Sequence, residues 1–279
     1  MTGYREENKL IMDKNAPIGV FDSGVGGLTV AREIMRQIPN ERIVYFGDTA
    51  RVPYGSKSKD NIIKFSRQII RFLQTENVKA IVIACNTASA LALDEMQQEF
   101  DLPILGVVKP GAKVAVETTA NKRIGLIGTE ANIRSGVYTR YIKSLDDEAK
   151  VFEKACPLFV PLVEEGWLHD DITLQVASRY LEELKDTLIM GCTHYPLIRS
   201  TIRKVMGDKV NLVNPAYETA IELKNLLERD NLANKCDVDS PSSMYRFYVS
   251  DAEEKFKLFA NSILPFDITM TKQINIENY

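Results

Sequence analysis

In the first 107 residues, short apolar runs without polar alternation are separated by longer segments in which apolar residues recur at helical spacing. Four runs predict buried strands, at residues 18–21, 43–46, 80–84 and 104–107. Three segments predict helices: Leu28–Ile38, the segment that contains Ile62, Phe65, Ile69, Ile70 and Leu73, and Ala88–Phe100. Strands that are apolar on both faces and separated by helices are typical of a parallel sheet covered on both sides. The pattern therefore predicts an α/β fold.

The same pattern then occurs a second time. The segment IGVFD (18–22) is echoed by IGLIG (124–128), and IVIACNT (81–87) is echoed by LIMGCT (188–193). Ile18 and Cys85 are 67 positions apart, and Ile124 and Cys192 are 68 positions apart. These echoes predict one α/β unit used twice, with a cysteine at the end of the equivalent strand in each copy.

Two segments with strong turn residues, Lys109–Gly111 and Asn214-Pro215, are candidate crossovers around the second copy. The following helix (216–229) and a late strand (245–249) have no obvious core of their own, so we expect them to return to the first domain. The predicted organisation is a polar N-terminal extension (1–16), a first α/β domain (17–108 plus 217–279) and a second (109–216). Both domains are expected to be doubly wound, mainly parallel and similar in topology, and to face each other across a cleft.

Composition restricts the class of protein. The chain has 279 residues, of which 45% are hydrophobic and 26% charged, and this is typical of a soluble globular protein. A net charge of −3 provides no overall attraction to nucleic acid or an anionic membrane. The first sixteen residues lack the apolar stretch of a secretory signal, and no apolar run approaches the roughly 20 residues of a membrane-spanning helix. These features predict a cytoplasmic protein with reduced cysteines.

Few residues are available for a zinc site. Among four cysteines there is no C-x-x-C pair, and the chain has two histidines. A carboxylate site for a hard metal is not excluded by this count.

Polar clusters follow several of the predicted strands, where parallel sheets bind ligands. They are DSG (22–24), DTARVPYG (48–55), CNT (85–87) and CTH (192–194). The segment DSGVGGL (22–28) matches neither a dinucleotide fingerprint, because Thr29 stands where glycine is needed, nor a P-loop. It is either a tight strand-to-helix turn or a pocket for a carboxylate or small phosphate.

Two cysteines stand at equivalent strand ends, and this pairing suggests chemistry. Each of Cys85 and Cys192 alone is most often a small buried apolar residue. Opposed across a cleft, two thiols suit removal of a proton from one face of a carbon and its return to the other, and a disulfide is the competing possibility. A thiol is only a few per cent ionised at neutral pH, so neighbours such as Asp22 and His194 are expected to hold or exchange its proton.

Other polar residues have weaker signals. Glu164 and Glu165 form an acidic pair that is either solvated or close enough to the cleft to reach a thiol, an imidazole or an ammonium group. Cys156 is expected to be packed in the core, Cys236 to lie in a loop without a role, and His169 to lie on the surface.

Four motifs together resemble the glutamate racemases of the cofactor-independent aspartate/glutamate racemase superfamily. They are DSGVGGLTV (22–30), GDTARVPYG (47–55), ACNTAS (84–89) and GCTHYPL (191–197). The resemblance extends from about residue 17 to 263. It implies two α/β domains of similar topology, glutamate bound in the cleft between them, and a reaction without pyridoxal phosphate, metal or nucleotide.

The resemblance also implies roles for individual residues. Cys85 would remove the α-proton of D-glutamate and Cys192 that of L-glutamate. Asp22 would assist Cys85, while His194 and Glu164 would assist Cys192. The implied substrate contacts are Asp22, Ser23, Tyr54, Gly55, Asn86, Thr87, Thr193 and His194. The family role is the supply of D-glutamate for peptidoglycan in the bacterial cytoplasm, and family members tend to form homodimers.

Two other functions stay open at this point. One is a related racemase that acts on aspartate or another small amino acid. The other is a two-domain protein that binds an acidic amino acid or a phosphorylated ligand without catalysis. The forms of the motifs at 22–27 and 192–194 favour glutamate as substrate.

Overall fold

The chain forms two parallel β-sheets with helices on both faces of each, in a computed structural model that describes residues 13–181, 187–235, 244–268 and 270–279. The strands in these ranges are β1 (Ile18–Asp22), β2 (Ile43–Gly47), β3 (Ala80–Ile83), β4 (Ile104–Gly106), β5 (Arg123–Gly128), β6 (Lys150–Ala155), β7 (Thr187–Gly191), β8 (Leu212–Val213), β9 (Tyr245–Val249) and β10 (Thr271–Gln273). The predicted α/β class is confirmed.

The helices of the described residues cover the sheets. They are α1 (Leu28–Gln37), α2 (Lys59–Thr75), α3 (Asn86–Glu99), α4 (Val108–Thr118), α5 (Glu130–Ser135), α6 (Val137–Leu145), α7 (Phe159–Glu164), α8 (Asp171–Leu181), α9 (Arg199–Met206), α10 (Pro215–Arg229) and α11 (Glu253–Ile263). The predicted helix 88–100 begins two residues earlier, because Cys85 takes the extended conformation of an N-cap residue.

The two sheets share a strand order. The first sheet is ordered β10-β9-β2-β1-β3-β4, and the second is ordered β6-β5-β7-β8. When β5 to β8 are matched with β1 to β4, the second order reproduces the β2-β1-β3-β4 core of the first. The duplication expected from the two sequence echoes is therefore present in the topology. The first pair of echoed segments forms β1 and β5, and the second pair contributes to β3 and β7, which hold equivalent positions in the two sheets.

Side chains alternate between two apolar layers in each sheet, as expected for strands buried on both faces. In β1, Val20 packs with α1 and α10, whereas Phe21 packs on the opposite face with α2 and α3. In β7, Met190 and Ile189 divide in the same way between two layers of the second sheet. Helices on both faces make each unit doubly wound.

The two predicted crossovers lie at the starts of the helices α4 and α10, which stand between β4 and β5 and between β8 and β9. Lys109–Gly111 falls in the first part of α4, where a proline is tolerated because the N–H it lacks has no helical partner there. Asn214 caps α10, and its side chain accepts a hydrogen bond from the Ala216 N–H at 3.2 Å. A Cβ on Gly111 would lie 2.8 Å from Pro215 Cγ, so the missing side chain lets the two crossovers pack together.

The strands of the first sheet come from residues 18–106 and 245–273, and those of the second come from 123–213. The domain boundaries at 108/109 and 216/217 stay predictions. Most of the N-terminal extension (residues 1–12), as well as Cys236, lies outside the described residues. Within the described ranges, no helix combines the length and apolar character needed to cross a membrane.

A buried lysine ties distant segments to the first sheet. Lys79 precedes β3, is 0% exposed and places Nζ 2.6 Å from Glu41 Oε2. The same ammonium donates to the carbonyl oxygens of Lys14 and Leu232. Burial lowers the pKa of Lys79, and the bond and charge of Glu41 oppose this shift. The ion pair therefore holds the segment before β1 and the segment after α10 against one end of the sheet.

Lys79→Met is expected to lower the free energy of unfolding by about 3–5 kcal/mol, because the Glu41 carboxylate would stay buried without its partner. Lys59→Met is the matched control: Lys59 pairs with Glu95 at 2.7 Å, but the two side chains are 56% and 38% exposed. Its expected loss is below about 1 kcal/mol. Urea denaturation followed by circular dichroism measures both values, and equal losses would contradict the role given to Lys79.

Candidate active site

The duplicated topology brings the polar motifs to one place in each unit. In both sheets the second strand lies on one side of the first strand and the third strand lies on the other. Ligands bind beyond the carboxyl ends of the strands at such a switch point. The motifs DSG (22–24) and CNT (85–87) follow β1 and β3, and CTH (192–194) follows β7. Each cysteine therefore lies at the switch point of its own unit.

Cys85 is buried beside an acidic group. Its side chain is 5% exposed, and its thiol donates to Ser23 Oγ at 3.7 Å. Burial, and then the charge of Asp22, raise the pKa of Cys85 to about 12, although bonds from the Ala88 N–H and Ser23 act in the opposite direction. Cys192 adds a smaller contribution in the same direction as Asp22, so the charges of the two thiols influence each other. With this pKa Cys85 is a protonated thiol at neutral pH.

Cys192 lies at the start of a hydrogen-bonded chain with an imidazole and a carboxylate. Its Sγ is 3.7 Å from His194 Nδ1, and His194 Nε2 is 3.0 Å from Glu164 Oε1. Burial lowers the pKa of His194, but the bonds and charges of Cys192 and Glu164 outweigh it and raise the pKa to about 10. For Glu164, burial raises the pKa, yet the bond and charge of His194 leave it below its ordinary value. An imidazolium therefore separates the thiol from the carboxylate, and such a cation stabilises a neighbouring thiolate.

Asp22 connects the two halves of the site. It is 0% exposed; its Oδ2 accepts from the Gly24 N–H at 3.1 Å, and its Oδ1 accepts from the Thr193 hydroxyl at 3.4 Å. Burial raises the pKa of Asp22, and the charge of His194 and nearby backbone N–H groups limit the rise. A Cβ on Gly27 would lie 2.4 Å from Asp22 Cβ, so glycine is needed for the carboxylate to fold back over its own turn.

The glycine-rich turn packs directly against the second domain. A Cβ on Gly26 would lie 2.4 Å from Thr193 Oγ1 and 2.5 Å from His194 Nδ1. From the start of α1, the Thr29 hydroxyl donates to the Thr193 carbonyl oxygen at 2.9 Å. The turn is therefore more than a tight connection from strand to helix, because its small size lets the CTH segment approach Asp22.

A second set of contacts joins the CNT segment (85–87) and the turn at Tyr54–Ser56 to the second domain. Thr87 Oγ1 lies 2.9 Å from Thr129 Oγ1, and the Tyr138 hydroxyl donates to Asn86 Oδ1 at 2.7 Å. A Cβ on Gly55 would lie 2.8 Å from Thr129 Cβ. Thr87, Asn86 and Gly55 were all candidates from the sequence, whereas Thr129 and Tyr138 were missed.

The two missed residues differ in whether the sequence contains a signal that could have identified them. Thr129 follows the echo IGLIG (124–128), so extending the repeat by one position would have identified it as the counterpart of Ser23. Tyr138 has no local signal, because its ring occupies an apolar position of α6 and only its hydroxyl is polar.

The Tyr54 hydroxyl is held by a separate hydrogen-bond network. It is 1% exposed, and its hydroxyl donates to Asp48, which also bonds Arg51 at 2.7 Å and Ser250 at 2.9 Å. The phenol is therefore engaged within the first domain. Tyr54 and Gly55 form a single 3₁₀ turn with Ser56, and the backbone of this turn is what they can offer to a ligand.

Several polar residues lie apart from this cluster. His169 is exposed, with Nδ1 3.3 Å from Ser200 Oγ. Glu165 is 67% exposed and 3.8 Å from Lys255 Nζ, so Glu164 rather than Glu165 joins the site. Cys156 is fully buried among apolar residues, and burial raises its pKa to about 12. Its position agrees with the expected packing role.

The described residues contain no group of three or more histidine, cysteine or acidic side chains arranged to hold a metal ion. A cavity of about 220 Å³ borders the site at Glu164, and its other lining residues belong to the first domain. Gly24, Val52 and Phe259 line it with Glu164.

The geometry predicts that His194 stays protonated far above the ordinary histidine pKa of about 6.5. Because its folded pKa lies above the unfolded value, the bonds of His194 stabilise the fold fully below about pH 6.5, and this contribution is lost as the pH rises through about 10. NMR titration measures this directly, since the chain has only two histidines and a His169→Gln variant assigns the signals. Glu164→Gln should lower the midpoint of His194. A midpoint near 6.5 in the wild type would contradict the described chain of bonds.

Known proteins resemble this chain over most of its length. Residues 18–221 match the Asp/Glu/Hydantoin racemase family. The glutamate racemase of Oceanobacillus iheyensis is 42% identical over 273 residues, which cover 95% of this chain and 98% of the relative.

Solved structures agree. A glutamate racemase isoform from Bacillus anthracis superposes with a TM-score of 0.88 at 39% identity, covering 94% of this chain and 98% of that one. The Francisella tularensis glutamate racemase in complex with D-glutamate superposes with a TM-score of 0.87 at 38% identity, covering 95% of this chain and 100% of that one. The resemblance seen in the four motifs is confirmed, and the chain belongs to the Asp/Glu/Hydantoin racemase family.

Proposed function

We propose that this protein is a glutamate racemase that interconverts L- and D-glutamate by proton transfer between Cα and two thiols, without a cofactor. The observation that carries the proposal is the pair of buried cysteines, Cys85 and Cys192, at equivalent strand ends of a duplicated unit. Both belong to one cluster that Asp22 and His194 connect. The names of the relatives, and D-glutamate in the Francisella tularensis structure, support glutamate as the substrate.

In the proposed reaction from D-glutamate, the Cys85 thiolate takes the α-proton, and the electron pair of the C–H bond passes to Cα and its carboxylate. The Cys192 thiol then gives its proton to the opposite face of Cα, which forms L-glutamate. Cys85 ends as a thiol and Cys192 as a thiolate, and this is the state that reaction from L-glutamate requires. Proton exchange with the neighbouring groups restores the first state.

Each thiol is assisted by a different partner. Asp22 is the proposed proton acceptor for Cys85, whose raised pKa keeps it protonated, so that it has to lose its proton before acting as a base. The ammonium group of the substrate would favour this loss, because a nearby positive charge stabilises a thiolate. His194, held by Glu164, is proposed to exchange a proton with Cys192 and to stabilise its thiolate.

The other candidates are proposed to hold the two carboxylates of glutamate. Ser23, Asn86, Thr87 and Thr193 offer hydroxyl and amide groups, and the turn at Tyr54–Ser56 offers its backbone. All four side chains are at most 7% exposed, so their bonds act in a site with little water. Such donors stabilise the negative charge that develops on the carboxylate as the α-proton leaves.

The wider setting is part of the same proposal. We propose that the enzyme works in the bacterial cytoplasm, supplies D-glutamate for peptidoglycan and forms a homodimer. Size-exclusion chromatography with light scattering tests the assembly.

The experiment that tests the function is racemisation in deuterated water, followed by circular dichroism and mass spectrometry. Starting from L-glutamate, the D-glutamate formed should carry one deuterium at Cα, while the L-glutamate that remains in the first turnovers should carry none. This asymmetry is expected because the group that removes the proton is not the group that returns one. Cys85→Ala and Cys192→Ala should each lower racemisation by at least about 10²–10⁴-fold.

Cys156→Ala and Cys236→Ala are the controls and should remain active. Full turnover in either Cys85→Ala or Cys192→Ala would contradict the two-thiol scheme. Turnover of aspartate but not glutamate would contradict the substrate. A wild type that binds glutamate without turning it over, with unchanged affinity in Cys85→Ser and Cys192→Ser, would show a binding protein instead.

A further inference from the structure

Tyr138 joins the core of the second domain to the candidate site in the first. Its ring lies on α6, is 1% exposed and packs with Val108, Leu126 and Ile142. Its hydroxyl leaves this core and donates to Asn86 Oδ1 at 2.7 Å. Asn86 is the first residue of α3, directly after Cys85, and is 4% exposed.

The bond fixes which end of the Asn86 amide faces the site. An amide oxygen accepts hydrogen bonds, whereas the amide nitrogen carries two donors. Since the amide is planar, holding Oδ1 on Tyr138 directs the two N–H groups away from it. A rotation of 180° would instead present an oxygen to a bound carboxylate and repel it.

A related contact occurs in the other copy of the duplicated unit, where the accepting atom is a backbone carbonyl oxygen rather than a side-chain amide oxygen. The residue after Cys85 is held by Tyr138, from a helix that follows β5. The residue after Cys192 is Thr193, and its carbonyl is held by Thr29, from the helix that follows β1. Each domain therefore fixes the residue beside the thiol of the other.

We propose that Tyr138 is a positioning residue of the racemisation, which holds the Asn86 amide so that its N–H groups face a substrate carboxylate. This inference rests on the proposed function, in which Asn86 binds glutamate. Tyr138 acts as a neutral donor throughout the working pH range, because burial and the charge of Cys192 raise its pKa.

The test is a double-mutant cycle between Tyr138→Phe and Asn86→Ala. Tyr138→Phe keeps the ring and removes the hydroxyl, and it should lower kcat/KM about tenfold, as expected when a buried acceptor loses its donor. The ratio kcat/KM is the suitable quantity because the two enantiomers have equal free energies. The equilibrium constant is therefore one, and kcat/KM must have the same value in both directions of the reaction. In the Asn86→Ala background, Tyr138→Phe should cause no further loss, since Tyr138 acts through Asn86.

Tyr248→Phe is the matched control. Its hydroxyl bonds Glu76 Oε1 at 3.1 Å, on the α2 side of the first sheet, and it should leave kcat/KM unchanged. Thermal denaturation checks that each variant is folded. Where Asn86→Ala is too slow for kinetics, the cycle is measured on the Kd of D-glutamate by calorimetry.

Unchanged kcat/KM in Tyr138→Phe would overturn the inference. So would a tenfold loss that persists in the Asn86→Ala background, because that result would indicate a general effect on packing. Both outcomes require an active wild type, so they are distinguishable from a failure of the proposed function, in which the wild type itself does not racemise glutamate.

Discussion

The close contact between Gly26 and the segment Thr193-His194 is the interaction on which the rest of the site depends. Any side chain at position 26 would overlap Thr193 Oγ1 and His194 Nδ1, so the missing Cβ sets how near the two domains come. At this separation Thr193 can bond Asp22, and the charge of His194 reaches the Asp22 carboxylate. Without that approach the two switch points would form two separate polar clusters.

The symmetry of the fold is not matched by symmetry of charge. The charge of Asp22 raises the pKa of Cys85, whereas an imidazolium held by a carboxylate lies beside Cys192. One thiol is therefore kept protonated at neutral pH, and the other has a cation beside it. Two thiols with different neighbouring groups suit a reaction in which one sulfur gives a proton while the other takes one. A duplicated fold thus provides two similar positions, and the residues around them provide the difference.

Much of the fold was predictable because the signals are local. The strands at 18–22 and 80–83 were predicted to within a residue from apolar runs, and the echoes identified their counterparts in the second sheet. The start of α3 was missed because apolar periodicity marks the buried face of a helix, not its first residue. Lys109–Gly111 is a predicted crossover because proline and glycine favour connections, and its residues begin the helix α4, since the first turn of a helix accepts proline.

The site was predictable where chemistry is carried by unusual residues, such as the paired cysteines and the glycine-rich turn. It was not predictable where a role depends on contacts between distant segments. Nothing near Glu164 in the sequence distinguishes it from Glu165. In the fold, Glu164 is the last residue of α7, and its carboxylate is the one that bonds His194. Likewise, the engagement of the Tyr54 hydroxyl depends on Asp48 and on Ser250, almost 200 positions away. Family resemblance implied Glu164 as an assistant of Cys192, but it did not indicate that Asp48 and Ser250 hold the Tyr54 hydroxyl.

The most direct measurement of the central claim is a crystal structure with glutamate bound, in which the distances from both sulfurs to Cα are determined. Cys85 Sγ and Cys192 Sγ should lie on opposite faces of Cα, each at about 3.5 Å, the separation of groups about to react. Glutamate bound with both sulfurs on one face, or with either sulfur outside the cavity that holds Cα, would contradict the account.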